Sequence, residues 1–292
     1  VPSRCKNKLK EGKMGNIFKG WIRFSVVYIS KNYGSKKFSV FSKMRHLLHS
    51  PKSGMITLHP ASETNVMKIY CISGIGADRR LFKYLRPPAG FELVFLEWIQ
   101  PAREESLADY ARRLSLGINT SEPFILLGLS LGGIVSVEIA KRCPPVCTII
   151  IGSVSLSSQL PLHYKIAKQV GLPALLPASF FKFASFLKRS FSSEMKEDRQ
   201  MLKQMIREGD DVFIKWGINA VLTWENETAP TPLWHIHGTR DEVFPVSATK
   251  PTHVIRGGGH MLTITHAEKI NEIVLDVIGK TVSSTQPGKG PG

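Results

Sequence analysis

The stretch from Phe124 to Ala140 constrains the fold more than any other part of the chain. An apolar run, Phe124, Ile125, Leu126 and Leu127, leads into Gly128-Leu129-Ser130-Leu131-Gly132, and a helix-compatible pattern continues from Gly133 to Ala140. A strand, a sharp turn and a helix in that order need small residues two positions either side of the turn's centre, because the strained backbone there passes close to itself. Gly128 and Gly132 supply them. Such a turn lifts the Ser130 hydroxyl off the end of a sheet, and the N-terminus of the following helix stabilises negative charge developing beside it. Ser130 is therefore the candidate nucleophile; the plainer alternative is a tight turn with no chemistry.

The surroundings repeat this layout. From Met67 onward short apolar runs alternate with helical patterns, which predicts an α/β domain with a mostly parallel sheet of about six strands and helices on both faces. Strands are predicted at about 67–73, 92–97, 123–129, 147–152, 232–237 and 252–256, and helices near 77–86, 104–116, 131–142 and 264–278. Residues 155 to about 228 hold no good strand but carry helix-prone stretches, among them Phe180, Phe181, Phe183, Phe186, Leu187 and Phe191. An insertion of that length is a packed helical subdomain, a cap over a site, or both. The domain is expected to span 67–280, and residues 281–292, rich in Gly, Pro, Ser and Thr, to form a flexible tail.

On the strength of the Gly128–Gly132 elbow, the chain from about 67 to 280 resembles the α/β-hydrolase superfamily, whose catalytic residues occur in the order nucleophile, acid, histidine. The resemblance implies a histidine in the loop after the last strand. Here Thr252 to Arg256 leads into Gly257-Gly258-Gly259-His260, which makes His260 the expected general base. The implied acid is Asp241, because His237-Gly238-Thr239-Arg240-Asp241-Glu242-Val243-Phe244-Pro245 resembles the family's acid-bearing loop; Glu242 is its nearest rival. Some members carry the acid after the preceding strand, but Gly152 to Ser158 contains no Asp or Glu. The main-chain N–H groups of Leu131 and Ile75 are the expected oxyanion hole. Ser73 stands where the family often has histidine, before Gly74. Of the remaining histidines, His235 and His237 share one strand face and read as packed or capping residues, His266 lies in the last helix and His163 in the insertion. Asp78 either caps the helix that follows it or lines the mouth of the site.

These residue types suit acyl transfer. A serine hydroxyl needs a base to take its proton, neutral imidazole is available for that near neutral pH, and a carboxylate fixes its tautomer. The implied activity is hydrolysis of carboxylic esters of short to medium acyl chain, the Phe- and Leu-rich insertion forming either an acyl pocket or plain core. Thioesterase, lactonase and peptidase chemistry use the same three side chains, and a ligand-binding homologue without catalysis is the alternative from outside enzymology. No cofactor and no metal is implied.

Charge does not change this reading. The formal net charge is +16, yet residues 1–66 alone carry 13 Lys or Arg against Glu11 and Glu63. No zinc-ligand spacing or RNA-binding signature accompanies that basicity, so no specific nucleic-acid partner is expected. The extension reads as translated upstream sequence or a leader before Met67, as a targeting segment, or as a tether to a membrane surface through Phe18 to Ile29. Its most apolar part, Trp21 to Ile29, is interrupted by Arg23 and is far shorter than a span. Cys5, Cys71, Cys143 and Cys147 form no framework and read as thiols of a reducing, cytoplasmic compartment.

Overall fold

In the computed structural model the described residues are 66–169 and 196–285. The basic extension, its membrane-surface role and the Phe180–Phe191 stripe lie outside them. The strands are β1 (Met67–Ile72), β2 (Phe91–Phe95), β3 (Phe124–Leu129), β4 (Cys147–Ile151), β5 (Leu233–Gly238) and β6 (His253–Ile255). They form one six-stranded sheet in the order β2-β1-β3-β4-β5-β6. Every pairing is parallel, for example Ile69 opposite Ile125 and Leu127 opposite Ile149. The chain steps from β1 outward to β2, then returns to the other side of β1 with β3. That reversal opens a crevice at the carboxyl ends of β1 and β3, the place where open α/β sheets put their ligands.

Period-two burial explains the two layers. Ile69, Cys71, Ile125, Leu127, Ile149 and Ile151 face one hydrophobic cluster, shared with Ile270, Val274 and Val277 of the last helix. Tyr70, Ile72, Leu126 and Ile150 face the other, with Tyr110, Leu114, Ile134 and Val137. The central strands are apolar on both faces because helices cover both. These helices are α1 (Leu107–Leu114), α2 (Leu131–Ala140), α3 (Leu162–Gln169), α4 (Lys196–Glu208), α5 (Asp211–Thr223), the short α6 (Leu262–Thr265) and α7 (Ala267–Thr285).

Two boundaries differ from the sequence expectation. The helix expected near 77–86 is a single 3-10 turn, Arg79–Phe82. Pro87 and Pro88 follow closely, and the residue before a proline is pushed out of helical geometry, so too few residues remain for an α-helix. At the other end α7 runs to Thr285, past residue 280 where the tail was expected to begin. Thr281 holds it there: its hydroxyl donates to the Val277 carbonyl at 2.7 Å and accepts from Trp234 Nε1 of β5 at 3.0 Å.

Within 155–228 the described residues contain no strand. Helix α4 sends Leu202 and Met205 into the first cluster, and α5 sends Phe213 and Ala220 into the second. Asp198, 1% exposed, ties α4 to the loop after the 3-10 turn through Lys83 and the Tyr84 hydroxyl. Asp210 starts α5 by accepting from Phe213 N at 2.6 Å. In the middle of α5, the Cβ position of Gly217 lies 2.8 Å from Ile75 Cδ1 and 3.3 Å from Leu131 Cδ2. The described part of the insertion is thus both packed core and a cover over the loop that follows β1.

Candidate active site

The elbow forms as its glycines dictate. A Cβ on Gly128 would sit 2.2 Å from the Gly132 carbonyl oxygen, and one on Gly132 would sit 2.1 Å from that of Ile72, so neither position has room for any side chain. Between them Ser130 adopts φ 55°, ψ −121°, a conformation that L residues rarely hold. Ser153 braces the turn by donating its hydroxyl to the Ser130 carbonyl at 2.7 Å. Its partner strand helps too, through Ser130 N donating to the Ile151 carbonyl at 3.0 Å.

Three side chains distant in sequence meet at this turn. His260 Nε2 lies 2.9 Å from Ser130 Oγ, and His260 Nδ1 lies 2.9 Å from Asp241 Oδ2. The second carboxylate oxygen, Oδ1, accepts from the N–H groups of Val243 at 2.9 Å and Phe244 at 3.0 Å. Residue exposures are 7% for Ser130, 1% for His260 and 5% for Asp241, so the three interact where water screens them little. Burial alone would raise the Asp241 pKa, but the His260 charge and hydrogen bond, the Phe244 N–H and His237 outweigh it. The carboxyl is held below its ordinary range. Glu242, the rival acid, is not part of this arrangement.

The loop after β1 closes against the same point. The Cβ position of Gly74 falls 3.4 Å from Ser130 Cβ and 3.9 Å from its Oγ. Ser73 donates its hydroxyl to the Ala77 carbonyl at 2.8 Å, and Trp98 Nε1 donates to the carbonyls of Gly74 and Ala77 at 3.2 and 3.1 Å. Serine in place of histidine therefore serves as a brace for this turn. Ile75 and Leu131, the expected oxyanion donors, both abut Gly217 of α5, and among the described residues neither N–H donates to another main-chain group. Asp78 caps the 3-10 turn, accepting from Arg80 N at 2.9 Å. It also lines a cavity of about 210 Å³ with Trp98, Glu208 and Phe213, but Ser130, Asp241 and His260 do not line that cavity.

Sequence reasoning treated His235 and His237 as packing. Both are buried, but His237 Nε2 lies 2.7 Å from the Phe244 carbonyl oxygen and 3.5 Å from Asp241 Oδ2, while His235 Nε2 lies 2.9 Å from His237 Nδ1. The visible signal was the spacing: two histidines on one face of the strand that delivers the acid loop. Burial, then the nearby His237 charge, pushes the His235 pKa down to about 3; burial likewise lowers that of His237. Both rings are thus neutral when folded and charge readily only when unfolded, so the unfolded chain binds more protons between the ordinary histidine value and the folded one. The contribution of His235 to stability is complete above about pH 6.5 and is lost as pH falls toward about 3, and that of His237 is lost in the same direction. We expect the urea midpoint to fall steadily from pH 6.5 to 4, before most carboxylates titrate, and to fall less steeply in His235→Phe. An identical slope in the two proteins would contradict this.

Cysteine chemistry plays no part in this arrangement. Cys71 and Cys147 are buried free thiols and Cys143 is a partly buried one; burial pushes the Cys147 pKa up to about 11 and that of Cys71 further still, away from thiolate reactivity. No helix among the described residues is long and apolar enough to cross a membrane.

Comparison with known proteins bears on the family and the fold. A sequence model described as the alpha/beta hydrolase family matches residues 69–273. No curated protein matches the chain in sequence. Among solved structures, a hydrolase from Pseudomonas aeruginosa superposes with a TM-score of 0.60 at 14% identity, over 76% of this chain and 92% of its own. A thermophilic esterase from Thermogutta terrifontis gives 0.58 at 16% identity, over 74% and 90%. The type II thioesterase BorB from the borrelidin biosynthetic cluster gives 0.54 at 18% identity, over 75% and 94%. At these identities the likeness is one of fold.

Proposed function

Since the chain belongs to the alpha/beta hydrolase family, we propose that it is a serine hydrolase cleaving carboxylic esters of short to medium acyl chain through an acyl-enzyme. One observation carries the reading: Ser130 Oγ, the two ring nitrogens of His260 and Asp241 Oδ2 stand in one line with 2.9 Å at each contact. Such a line moves a proton off a hydroxyl while fixing the imidazole that receives it.

In the proposed reaction Ser130 Oγ attacks the ester carbonyl carbon and its proton passes to His260 Nε2. The carbonyl oxygen takes the electron pair and is stabilised by the N–H groups of Ile75 and Leu131. Collapse of the tetrahedral adduct expels the alkoxide, which leaves as the alcohol with the proton from His260. Water then attacks the acyl-Ser130 carbonyl, giving its proton to His260; the acid is released and Ser130 Oγ recovers that proton. Asp241 remains ionised throughout and stabilises the imidazolium formed in each half.

Substrate class is tested by an acyl panel. We expect p-nitrophenyl butyrate to be hydrolysed with a pre-steady-state burst, and longer chains to fall off in kcat/KM. A matching series of acyl thioesters and lactones is run beside it. Turnover of thioesters with no measurable ester hydrolysis would move the assignment to the thioester reading.

A further inference from the structure

His235 and His237 do more in this arrangement than fill space behind β5. The Nε2 atom of His237 faces two acceptors, the Phe244 carbonyl oxygen at 2.7 Å and Asp241 Oδ2 at 3.5 Å. A ring nitrogen in that position must carry a proton, because a bare lone pair there would face a carbonyl and a carboxylate with nothing between. If the ring is neutral, its Nδ1 is then an acceptor, and the His235 Nε2 at 2.9 Å must be the donor. The other end of the pair meets the Ser153 main chain, which also favours a proton on His235. Three hydrogen-bond positions thus compete for the two protons that a neutral pair holds. The position left without one is at Ser153, where one neutral carbonyl is faced rather than a carbonyl and a carboxylate together. Burial, with the His237 charge acting on His235 and the His260 charge acting on His237, keeps the third proton out at neutral pH.

We propose that His237 is a positioning residue for Asp241, held in its Nε2–H form by His235 and acting on the carboxylate in two ways. Its Nε2–H clamps the carbonyl of Phe244, whose own N–H binds Asp241 Oδ1, and so locks the turn that aims Oδ2 at His260. The same N–H, 3.5 Å from Oδ2 and not hydrogen-bonded to it, brings a positive dipole end close enough to lower the negative potential there. The charged and titratable groups around Oδ2 are then His237 from β5 and His260 from the loop after β6, with the Tyr164 hydroxyl of α3 beyond, donating to the Val243 carbonyl at 3.2 Å. The proposal rests on the reading of Asp241 as the catalytic acid.

Two experiments test it. In the native protein at pH 7.5, ¹⁵N–¹H correlation of the His237 ring is expected to show a protonated Nε2 and an unprotonated, hydrogen-bonded Nδ1. An Nδ1–H tautomer, or a doubly protonated ring, would overturn the proposal without reference to turnover. The second experiment compares His237→Gln, whose amide can donate from nearly the same point, with His237→Phe, which fills the volume and donates nothing. With active sites titrated by the burst, the Phe variant is expected to lose about ten- to a hundredfold in kcat with KM little changed, the loss typical of a misaimed catalytic group. Its acid limb in the pH–kcat/KM profile should move to higher pH, because an Asp241 without the neighbouring N–H dipole stabilises the imidazolium more strongly. The Gln variant should keep the native limb and most of kcat. Equal losses in both variants with an unmoved limb would make His237 merely structural. Should Ser130→Ala keep native activity, it is the triad reading that fails, while the tautomer result stands separately.

Discussion

Ser130→Ala is expected to lower kcat for p-nitrophenyl butyrate by on the order of 10⁴-fold or more and to abolish the burst, since no other group in the site can form the acyl-enzyme. Loss of activity alone does not show that the serine was the nucleophile, so its backbone supplies a second readout. Ser130 sits at φ 55°, ψ −121°, a conformation that costs a residue with a Cβ about 1–3 kcal/mol. Ser130→Ala keeps that strain and Ser130→Gly removes it, while both lose the contact with His260 Nε2. Subtracting the roughly 0.5–1 kcal/mol by which glycine's freedom favours the unfolded chain leaves a net gain of about 1 kcal/mol for Gly over Ala. Chemical denaturation of the two inactive variants checks this. An Ala variant as stable as the Gly variant would mean that the elbow is not strained, and native turnover in either would remove Ser130 from the reaction.

Asp241→Asn is expected to cost about 10⁴-fold in kcat while leaving the protein folded. The reason lies in which atoms are already committed. Val243 and Phe244 donate to Oδ1, so an asparagine keeps its carbonyl oxygen there and turns its NH₂ toward His260 Nδ1. Two donors cannot share that contact. The imidazole shifts its proton to Nε2 and presents an N–H to the Ser130 hydroxyl, where a lone pair is needed. Steady-state kinetics with a parallel circular dichroism spectrum decide the matter; a loss below tenfold in a folded variant would show that the carboxylate charge is dispensable.

The elbow was legible because its chemistry is local. Gly128 and Gly132 are four residues apart and flank the serine in a pattern visible in the sequence, and the structure shows that neither has room for a Cβ. Buried parallel strands were equally plain, since Ile125, Leu126, Leu127, Ile149, Ile150 and Ile151 need apolar cover on both faces. The meeting of Ser130, Asp241 and His260 was reached only through a family likeness, because three loops separated by up to 130 residues have no local signature of convergence. What escaped altogether was contact across elements. The spacing of His235 and His237 on one face of β5 is visible in the sequence, but it gives their burial and not the reach of the His237 ring to the Asp241 turn. The short turn at Arg79–Phe82 was misread as a helix because its apolar spacing is helical, whereas the prolines that curtail it act from outside the pattern.

Helix α5 lies against Ile75 and Leu131 with Gly217 at the contact, and the proposed reaction places its developing oxyanion between the N–H groups of those two residues. On that proposal the helix over the site and the two donors beneath it are packed as one piece. A ligand that tilted the helix would then alter the spacing of the two amide hydrogens, and fit along the acyl chain would be felt in the rate of bond making. Selectivity in a molecule built this way is expressed as speed more than as tightness of binding.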